Sequence, residues 1–361
     1  MPKSLSSALV LSLACLPLTG LSGLALADIT VASQGGANKA AQQKAYYEPY
    51  SAQTGSKIIA DEFNGEMAKV KIQVDTGSVT WDVVELEMPE LTRACDEGLL
   101  EDLSSDPAIS AMTSKVVKGA IQPCGAGIFV WSTVLAYNAD KLKVAPTGWV
   151  DFWDVKKYPG KRGLRKSPMY TLEYALMADG VPYKDIYSLL ATQEGQDRAF
   201  RKLDEIKPYI QWWEAGAQPP QYLMSGDVVM SAVYNGRIAA VQNESNLKVV
   251  WDGGIYDIET YAIPKGAKNA AEGRKFIEFA LQTQQQKAYS DHIAYGPVNL
   301  AAAAEIAPAQ ARDLPSAPEN LSKQLAMDAS FWADHGEQLQ QRFNAWAARR
   351  GPLTRALEAH H

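Results

Sequence analysis

The side chains best placed for chemistry lie where two β-rich runs of this 361-residue sequence end. Glu85 and Glu87 come at the end of the run 81–86, whose mostly apolar residues indicate a buried parallel strand. Ser33 and Gln34 end an earlier β-rich run. Because open α/β sheets bind ligands at the carboxyl ends of their strands, we predict that all four residues contact a ligand. A helix-terminal acid is the alternative for Glu87, and a solvated turn is the alternative for Ser33 and Gln34.

A hydrolase with two catalytic carboxylates is the alternative chemistry for Glu85 and Glu87. The rest of the sequence does not support catalysis. Of the four histidines, two end the chain, and neither of the others has a partner at metal-ligand spacing. Neither the G-x-S-x-G nor the H-E-x-x-H motif is present. We therefore expect a protein that is not an enzyme and has neither a metal site nor a cofactor.

Tryptophans provide candidate walls for a binding cleft. Trp131 lies within the long apolar run Gly127–Asn138, where core packing is the alternative role. Trp212 and Trp213 precede a loop that contains two prolines. We select Trp213 as the ligand-facing residue of this pair, although either one fits a cleft wall.

The amino terminus has the pattern of a secretory signal peptide. Lys3 supplies a positive charge, the stretch Leu5–Leu26 carries no charge, and Ala25-Leu26-Ala27 forms a small-x-small site. We expect cleavage after residue 27, so that the mature chain begins at Asp28 and works in the periplasm. This location disfavours reactions that depend on ATP or nicotinamide cofactors.

Composition and cysteine count agree with an exported soluble protein. The 35 basic and 41 acidic residues give a net charge of −6, which argues against nucleic acid and anionic membranes as partners. Cleavage would leave two cysteines, Cys95 and Cys124. In an oxidising compartment they most simply form a disulfide, and two buried free thiols are the alternative.

The elements that must position these residues alternate between strands and helices. The first hundred residues have a β-α-β-α-β order, which predicts an α/β lobe with a mainly parallel sheet. The run Gly127–Asn138 is too long for one small lobe, and Ile255–Pro264 has the character of a return crossing. Since a chain of this length favours two lobes, we predict two α/β lobes joined by these crossing segments.

The order of these pieces resembles the type II solute-binding proteins of bacterial ABC importers, and specifically the polyamine-binding branch. The supporting segments are Trp81-Asp82-Val83-Val84, Gly127–Asn138, Met224-Ser225-Gly226-Asp227, Asn235-Gly236, Gly253–Pro264 and Tyr295-Gly296-Pro297-Val298-Asn299. The resemblance implies lobe 1 at residues 28–134 and 260–300, and lobe 2 at residues 135–259 and 301–361. It also implies a ligand held between lobes that close by a hinge.

The resemblance assigns further binding residues. The acidic residue of the return crossing falls on Glu259, whereas Asp257 replaces an aromatic residue of the branch. Tyr170 occupies a lobe-two contact position. Arg237 departs from the small uncharged residue that is common in polyamine binders, and its guanidinium fits a carboxylate in a bidentate way. A structural salt bridge is the alternative role for Arg237.

These departures favour a ligand with opposite charges at its two ends. We predict a periplasmic receptor that binds a small amine, most simply an ω-amino acid such as γ-aminobutyrate or 5-aminovalerate. Polyamine binding is the alternative, and an exported hydrolase is a distant one. The expected partners are this small ligand and an inner-membrane ABC permease, and we expect a monomer.

Overall fold

Strands from most of the chain join into one sheet. The computed structural model describes residues 27–349, and the strands in that range form a ten-stranded sheet. In chain order they are β1 (Ile29–Ser33), β2 (Ile58–Glu62), β3 (Val83–Glu87), β4 (Ile121–Gln122), β5 (Gly125–Asn138), β6 (Arg162–Arg165), β7 (Ile210–Trp213), β8 (Met230–Tyr234), β9 (Leu247–Ala262) and β10 (Leu325–Ala326). The order across the sheet is β2-β1-β3-β9-β5-β8-β6-β7, with β10 beside β9 and β4 beside β5. The predicted signal peptide lies, apart from Ala27, outside the described residues.

Helices connect most of the strands. They are α1 (Ala37–Gln42), α2 (Glu48–Thr54), α3 (Met67–Asp75), α4 (Met88–Asp96), α5 (Pro107–Ser110), α6 (Trp149–Trp153), α7 (Thr171–Ala178), α8 (Ile186–Leu190), α9 (Gln193–Ile206), α10 (Gln218–Ser225), α11 (Asn235–Ala239), α12 (Ala270–Ala280), α13 (Thr283–His292), α14 (Leu300–Ala304), α15 (Pro308–Ala311), α16 (Pro318–Leu321) and α17 (Ala329–Ala348). A π-helical turn at Gln43–Tyr47 joins α1 to α2, and 3₁₀ turns precede α8 and β7. None of the helices within residues 27–349 is long and apolar enough to span a lipid bilayer.

The two sides of the sheet are parallel and its centre is antiparallel. β1 pairs in parallel with β2 and β3, which we call the first strand group. β6 pairs in parallel with β7 and β8, which we call the second strand group. Between the groups, β9 and β5 run antiparallel to each other and to their outer neighbours, β3 and β8. The predicted α/β fold, with two mainly parallel groups and two crossing strands, is confirmed.

The crossing strands β5 and β9 are long enough to serve both groups. At one end β9 pairs with β3 through residues 259–262, and at the other end β5 pairs with β8 through Thr133–Tyr137. A hydrophobic core continues across this junction, because buried residues such as Val83 and Leu164 belong to one cluster. The chain therefore links its two halves through both backbone pairing and packing.

A bulge interrupts β9 just before Ile255, where the predicted return crossing begins. Thr133 lies opposite Ile255, whereas Leu135 lies opposite Val250, so residues 251–254 leave the regular pairing. Gly253 has a φ of 73°, a left-handed conformation that favours glycine. The glycine pair thus marks a bulge inside one strand and not a break between two elements.

Two further elements differ from the sequence-based expectation. The segment Pro159–Gly163, whose proline and glycines are typical of a turn, contains the start of β6, and the guanidinium of Arg162 is buried against backbone carbonyls of Phe152 and Asp154 at 3.0 and 3.1 Å. The two prolines predicted to lie in a loop after Trp213, Pro219 and Pro220, lie within the first turn of α10. Proline is tolerated there because the first amide groups of a helix have no helical acceptor.

Long-range contacts join α4 and α17 to each other and to distant parts of the chain. The predicted disulfide is formed between Cys95 and Cys124, whose Cα atoms are 5.7 Å apart. α17 pairs with α4 through Glu337 and Arg93 at 2.8 Å, and it donates from Trp332 to Glu173 of α7 at 2.7 Å. The carboxy-terminal helix therefore contacts elements that follow each strand group.

Candidate functional site

Side chains from three neighbouring strands share one face of the sheet. Directly opposed residues of antiparallel strands project to the same face, as do residues two apart on one strand. Glu87 of β3 lies opposite Glu259 of β9, which lies opposite Phe129 of β5. The register gathers five predicted residues on this face: Glu85, Glu87, Trp131, Asp257 and Glu259.

A small cavity lies against this face. Its volume is about 10 Å³, far below the roughly 300–1,000 Å³ of pockets for drug-sized ligands and enough for about one water molecule. Its lining comes from both halves of the fold and comprises Gln34, Asn38, Glu85, Phe129, Trp131, Tyr234, Arg237, Glu259 and Tyr295. A larger ligand therefore requires these side chains, and the halves that carry them, to move apart.

Glu85, on the acidic side of the cavity, accepts more hydrogen bonds than the neighbouring acids. Its carboxylate accepts hydrogen bonds from Asn38 Nδ2 at 2.8 Å and from Gln42 Nε2 at 2.7 Å. The backbone N–H of Gln34 donates to it at 3.3 Å. Burial raises the pKa of Glu85 to about 7, although these donors act in the opposite direction. Glu85 can therefore change its protonation state near neutral pH.

Within the part of the chain that the structure describes, Glu259 and Asp257 each keep one buried carboxylate oxygen without a hydrogen-bond partner. Burial, followed by the charge of Glu85, holds the pKa of Glu259 well above its usual range. Burial also raises the pKa of Asp257, against the hydrogen bond that its Oδ1 accepts from Ile258 N at 2.7 Å. Two acceptors next to the cavity are therefore available to a cationic group.

Arg237 forms the opposite, cationic side. It belongs to α11, directly after β8, and only 4% of its surface is exposed. Its Nε and Nη1 have no hydrogen-bond partner among residues 27–349. Gly36 lies so close that a Cβ there would be 2.7 Å from Nη1, and its φ of 69° also favours glycine. A buried guanidinium with unpaired donors is unfavourable, and an anionic ligand group would satisfy it.

Aromatic rings form the walls between these charges. Phe129 stacks on Tyr295 with centroids 4.9 Å apart, and Trp131 meets Tyr234 edge-on at 5.1 Å. Trp213 also contacts Tyr234, at 5.5 Å. The indole N–H groups of Trp131 and Trp213 have no acceptor. The walls thus combine apolar faces with unpartnered donors.

The ten predicted binding residues fall into two sets. Five line the cavity: Gln34, Glu85, Trp131, Arg237 and Glu259. The other five are buried next to it: Ser33, Glu87, Tyr170, Trp213 and Asp257. Within this second set, Ser33 accepts from Tyr47 at 3.2 Å, and Glu87 accepts from Tyr170 at 2.7 Å.

Four lining residues were absent from the prediction: Asn38, Phe129, Tyr234 and Tyr295. Phe129 was detectable, because it lies two residues before Trp131 on the same strand and shares its face. Tyr234 ends β8 just before the quoted Asn235-Gly236. Asn38 lacked a signal, since a helix near the amino terminus gives no indication of which turn faces a ligand.

The chain matches the family described as bacterial extracellular solute-binding proteins over residues 45–318, and it belongs to that family. A γ-aminobutyric acid-binding protein of Pseudomonas aeruginosa is 56% identical over 323 residues, 89% of this chain and 91% of that protein. A spermidine/putrescine-binding periplasmic protein of Escherichia coli is 25% identical over 279 residues, 74% of this chain and 77% of that protein. The predicted class, a solute-binding protein related to the polyamine-binding branch, is confirmed.

Solved structures agree with this placement. MotA of A. tumefaciens B6, in complex with glucopine, has a TM-score of 0.84 at 31% identity, covering 89% of this chain and 99% of that one. The GABA receptor Atu4243 has a TM-score of 0.79 at 33% identity, covering 90% and 98%. These relatives are solute-binding proteins rather than enzymes.

Proposed function

We propose that this chain is the periplasmic receptor of an ABC importer and that it captures an ω-amino acid such as γ-aminobutyrate or 5-aminovalerate. One observation carries the proposal: the unpaired guanidinium of Arg237 and the unpaired oxygen of Glu259 line the same small cavity. Buried charges are stable only when they are paired. A zwitterion with separated ends supplies a carboxylate for Arg237 and an ammonium for Glu259.

The remaining lining suits the rest of such a ligand. The flat faces of Phe129, Trp131 and Tyr234 can pack against a short methylene chain. A ring beside the ammonium adds a cation–π contact. Relatives at 56% and 33% identity that bind γ-aminobutyrate support the same ligand class.

Polyamine binding is the second candidate. The acidic residues Glu85, Asp257 and Glu259 would suit a ligand with two ammonium groups, and the Escherichia coli relative binds spermidine and putrescine. Arg237 opposes this candidate, because a second ammonium at that end would meet an unpaired cation.

The ligand is held by closure of two lobes, lobe 1 at residues 28–134 and 260–300 and lobe 2 at residues 135–259 and 301–361. Two features support this division: β9 pairs with the first strand group and β5 with the second, and the cavity draws Glu85 from one group and Arg237 from beside the other. Bending at the crossing strands would open the cavity, and closure would present the loaded receptor to an inner-membrane permease. The secretory pattern of residues 1–27 supports the periplasmic location.

A ligand screen tests the proposal. Thermal unfolding would be followed with γ-aminobutyrate, 5-aminovalerate, putrescine, spermidine and α-amino acids, and calorimetry would give the affinities. A ligand at 100 times its dissociation constant adds about 2.7 kcal/mol to the free energy of unfolding. We expect an ω-amino acid to bind most tightly. Tighter binding of putrescine than of every ω-amino acid would overturn the ligand assignment.

A further inference from the structure

Glu87 lies beside the cavity, but its carboxylate is already engaged. One oxygen accepts from Arg165 Nη1 at 3.3 Å, and the other accepts from the Tyr170 hydroxyl at 2.7 Å. Glu87 also precedes α4, and its backbone N–H donates to the Glu90 carboxylate of the first turn at 3.2 Å. Burial, followed by the Glu87 charge, raises the pKa of Tyr170, so the hydroxyl keeps the proton that it donates. Glu87 thus differs from Glu259, which has an oxygen free for a ligand.

The two partners of Glu87 come from the opposite side of the sheet. Glu87 ends β3 and Arg165 ends β6, and the strands β9, β5 and β8 separate them. Neighbouring strands are about 4.8 Å apart, so β3 and β6 would be roughly 19 Å apart in a flat sheet. That gap is too wide for an arginine and a glutamate to bridge. The contact therefore requires the sheet to bend until the two strand groups face each other.

Tyr170 connects this contact to the cavity wall. Its φ of 70° is the only positive φ of a non-glycine residue in the described range 27–349. Such a conformation is unfavourable for a bulky residue and persists where surrounding contacts hold it. Its ring meets Trp131 edge-on at 5.8 Å, and the Arg165 guanidinium lies 5.7 Å from its centroid. Trp131 in turn lines the cavity.

We propose that Arg165 is a positioning residue for ligand binding, which stabilises the closed arrangement through Glu87 and Tyr170 without touching the ligand. We call these three residues the cross-cleft clamp. None of them lines the small cavity; Glu87 and Arg165 border a separate opening of about 300 Å³ beside it. The inference rests on the proposed function, because it assumes that a cleft closes on a solute.

Removing the clamp should favour the open arrangement. Opening must separate Arg165 from Glu87, so the contact stabilises only the closed form, and apparent affinity falls with the closed fraction. For Arg165→Met we expect γ-aminobutyrate to bind roughly 5- to 30-fold more weakly, within the usual range of coupling between sites. The loss should appear as faster dissociation, since closure follows the encounter with ligand. Because Arg165 does not touch the ligand, 5-aminovalerate and putrescine should weaken by the same factor.

Lys166, the cation next to Arg165 in the chain, provides the matched control for Arg165→Met. Lys166 is half exposed and pairs with Glu214 at 3.1 Å on the surface. Lys166→Met removes the same charge one residue away, and it should leave affinity and dissociation rate unchanged. Arg165→Lys should recover part of the lost affinity, because it keeps the charge but loses the guanidinium geometry.

The experiment combines stopped-flow tryptophan fluorescence for rates with denaturant unfolding of the ligand-free proteins. A uniform loss of affinity in a variant that still unfolds in one cooperative transition supports the clamp. An unchanged dissociation rate overturns it. A factor that differs between ligands also overturns it, because Arg165 would then contact the ligand. If no amine binds the wild-type protein, the proposed function fails on its own; in that case a larger radius of gyration of ligand-free Arg165→Met supports the clamp, and an unchanged one contradicts it.

Discussion

Two clusters of buried polar side chains lie next to each other on one face of the sheet, and they differ in how their hydrogen bonds are completed. In the cross-cleft clamp, both oxygens of Glu87 accept bonds from Arg165 and Tyr170. In the cavity, Arg237 keeps Nε and Nη1 unpaired and Glu259 keeps Oε1 unpaired. Both clusters contain a strand-borne glutamate and an arginine from beyond the crossing strands.

The difference distinguishes side chains that hold the two halves together from side chains that can bind a ligand. A buried polar atom without a partner is unfavourable, so a fold retains one where something else completes it. The cavity cluster is incomplete and therefore fits the part of the molecule that receives a ligand. The clamp is complete by itself and fits the part that holds two halves together. Substitutions in the two clusters should consequently change different quantities.

Arg237→Met should have the largest effect on binding. The ligand carboxylate would be buried without a partner, which typically costs about 3–5 kcal/mol, or more than 100-fold in affinity. Loss of an unpaired buried cation should also raise the unfolding temperature of the ligand-free protein. Calorimetry and thermal unfolding measure both quantities.

Arg237→Lys is the matched control for this substitution. It keeps the positive charge without the planar guanidinium, so it should retain part of the affinity. Unchanged binding of γ-aminobutyrate by Arg237→Met would contradict the assignment of the cationic side. A gain in putrescine binding by the same variant would instead show that Arg237 excludes polyamines.

Glu259→Gln should have the next largest effect. The amide cannot pair with an ammonium as a carboxylate does, so we expect a loss of about 2–3 kcal/mol, or roughly 30- to 150-fold in affinity. Glu173→Gln is the matched control, because Glu173 is also fully buried and also has one unpartnered oxygen, but it lies against Trp332 away from the cavity. Calorimetry of both variants should show a loss only for Glu259. Equal losses would mean that buried charge in general, and not ammonium recognition, determines affinity.

The sequence predicted the charged residues of the cavity more completely than its aromatic walls. Glu85 was accessible because an acid stands out at the end of an apolar strand. Glu259 was accessible through the family resemblance, and Arg237 because it departs from the family pattern. Tyr234 and Tyr295 were not, since an aromatic residue in a buried segment looks the same whether it packs in a core or against a ligand. Burial alone cannot distinguish these roles before the strand register is known.

Prediction of the strands and helices was also uneven. The long strand β5 and the second half of β9 were predicted, as the run Gly127–Asn138 and the return crossing Ile255–Pro264, whereas β6 and β7 have four residues each and carry arginine or tryptophan at their ends. Helix α3 has a weak sequence signal as well, because its nine residues bury only Val70 and have no strong apolar stripe. The clamp could not be foreseen, since Glu87 and Arg165 meet only after the sheet bends.

Of these predictions, the pH dependence of binding should show the smallest change in affinity. Burial raises the pKa of Glu85 to about 7, so this carboxyl holds a proton through much of the range below pH 7 in the ligand-free protein. An ammonium favours the ionised form, and its binding below pH 7 must therefore release a proton. The amine and carboxyl of γ-aminobutyrate do not titrate between pH 6 and 8.

The ionisation of Glu85 alone should accordingly raise the affinity for γ-aminobutyrate about tenfold from pH 6 to pH 8. Calorimetry at pH 6, in two buffers of different ionisation enthalpy, should detect the released proton. Glu85→Gln should lose this contribution and keep only the pH dependence of the neighbouring Glu259, whose pKa burial also raises. Arg165→Met should keep the full wild-type dependence, since the clamp lies outside the cavity. A pH profile that changed with Arg165 but not with Glu85 would reverse the roles of the two clusters.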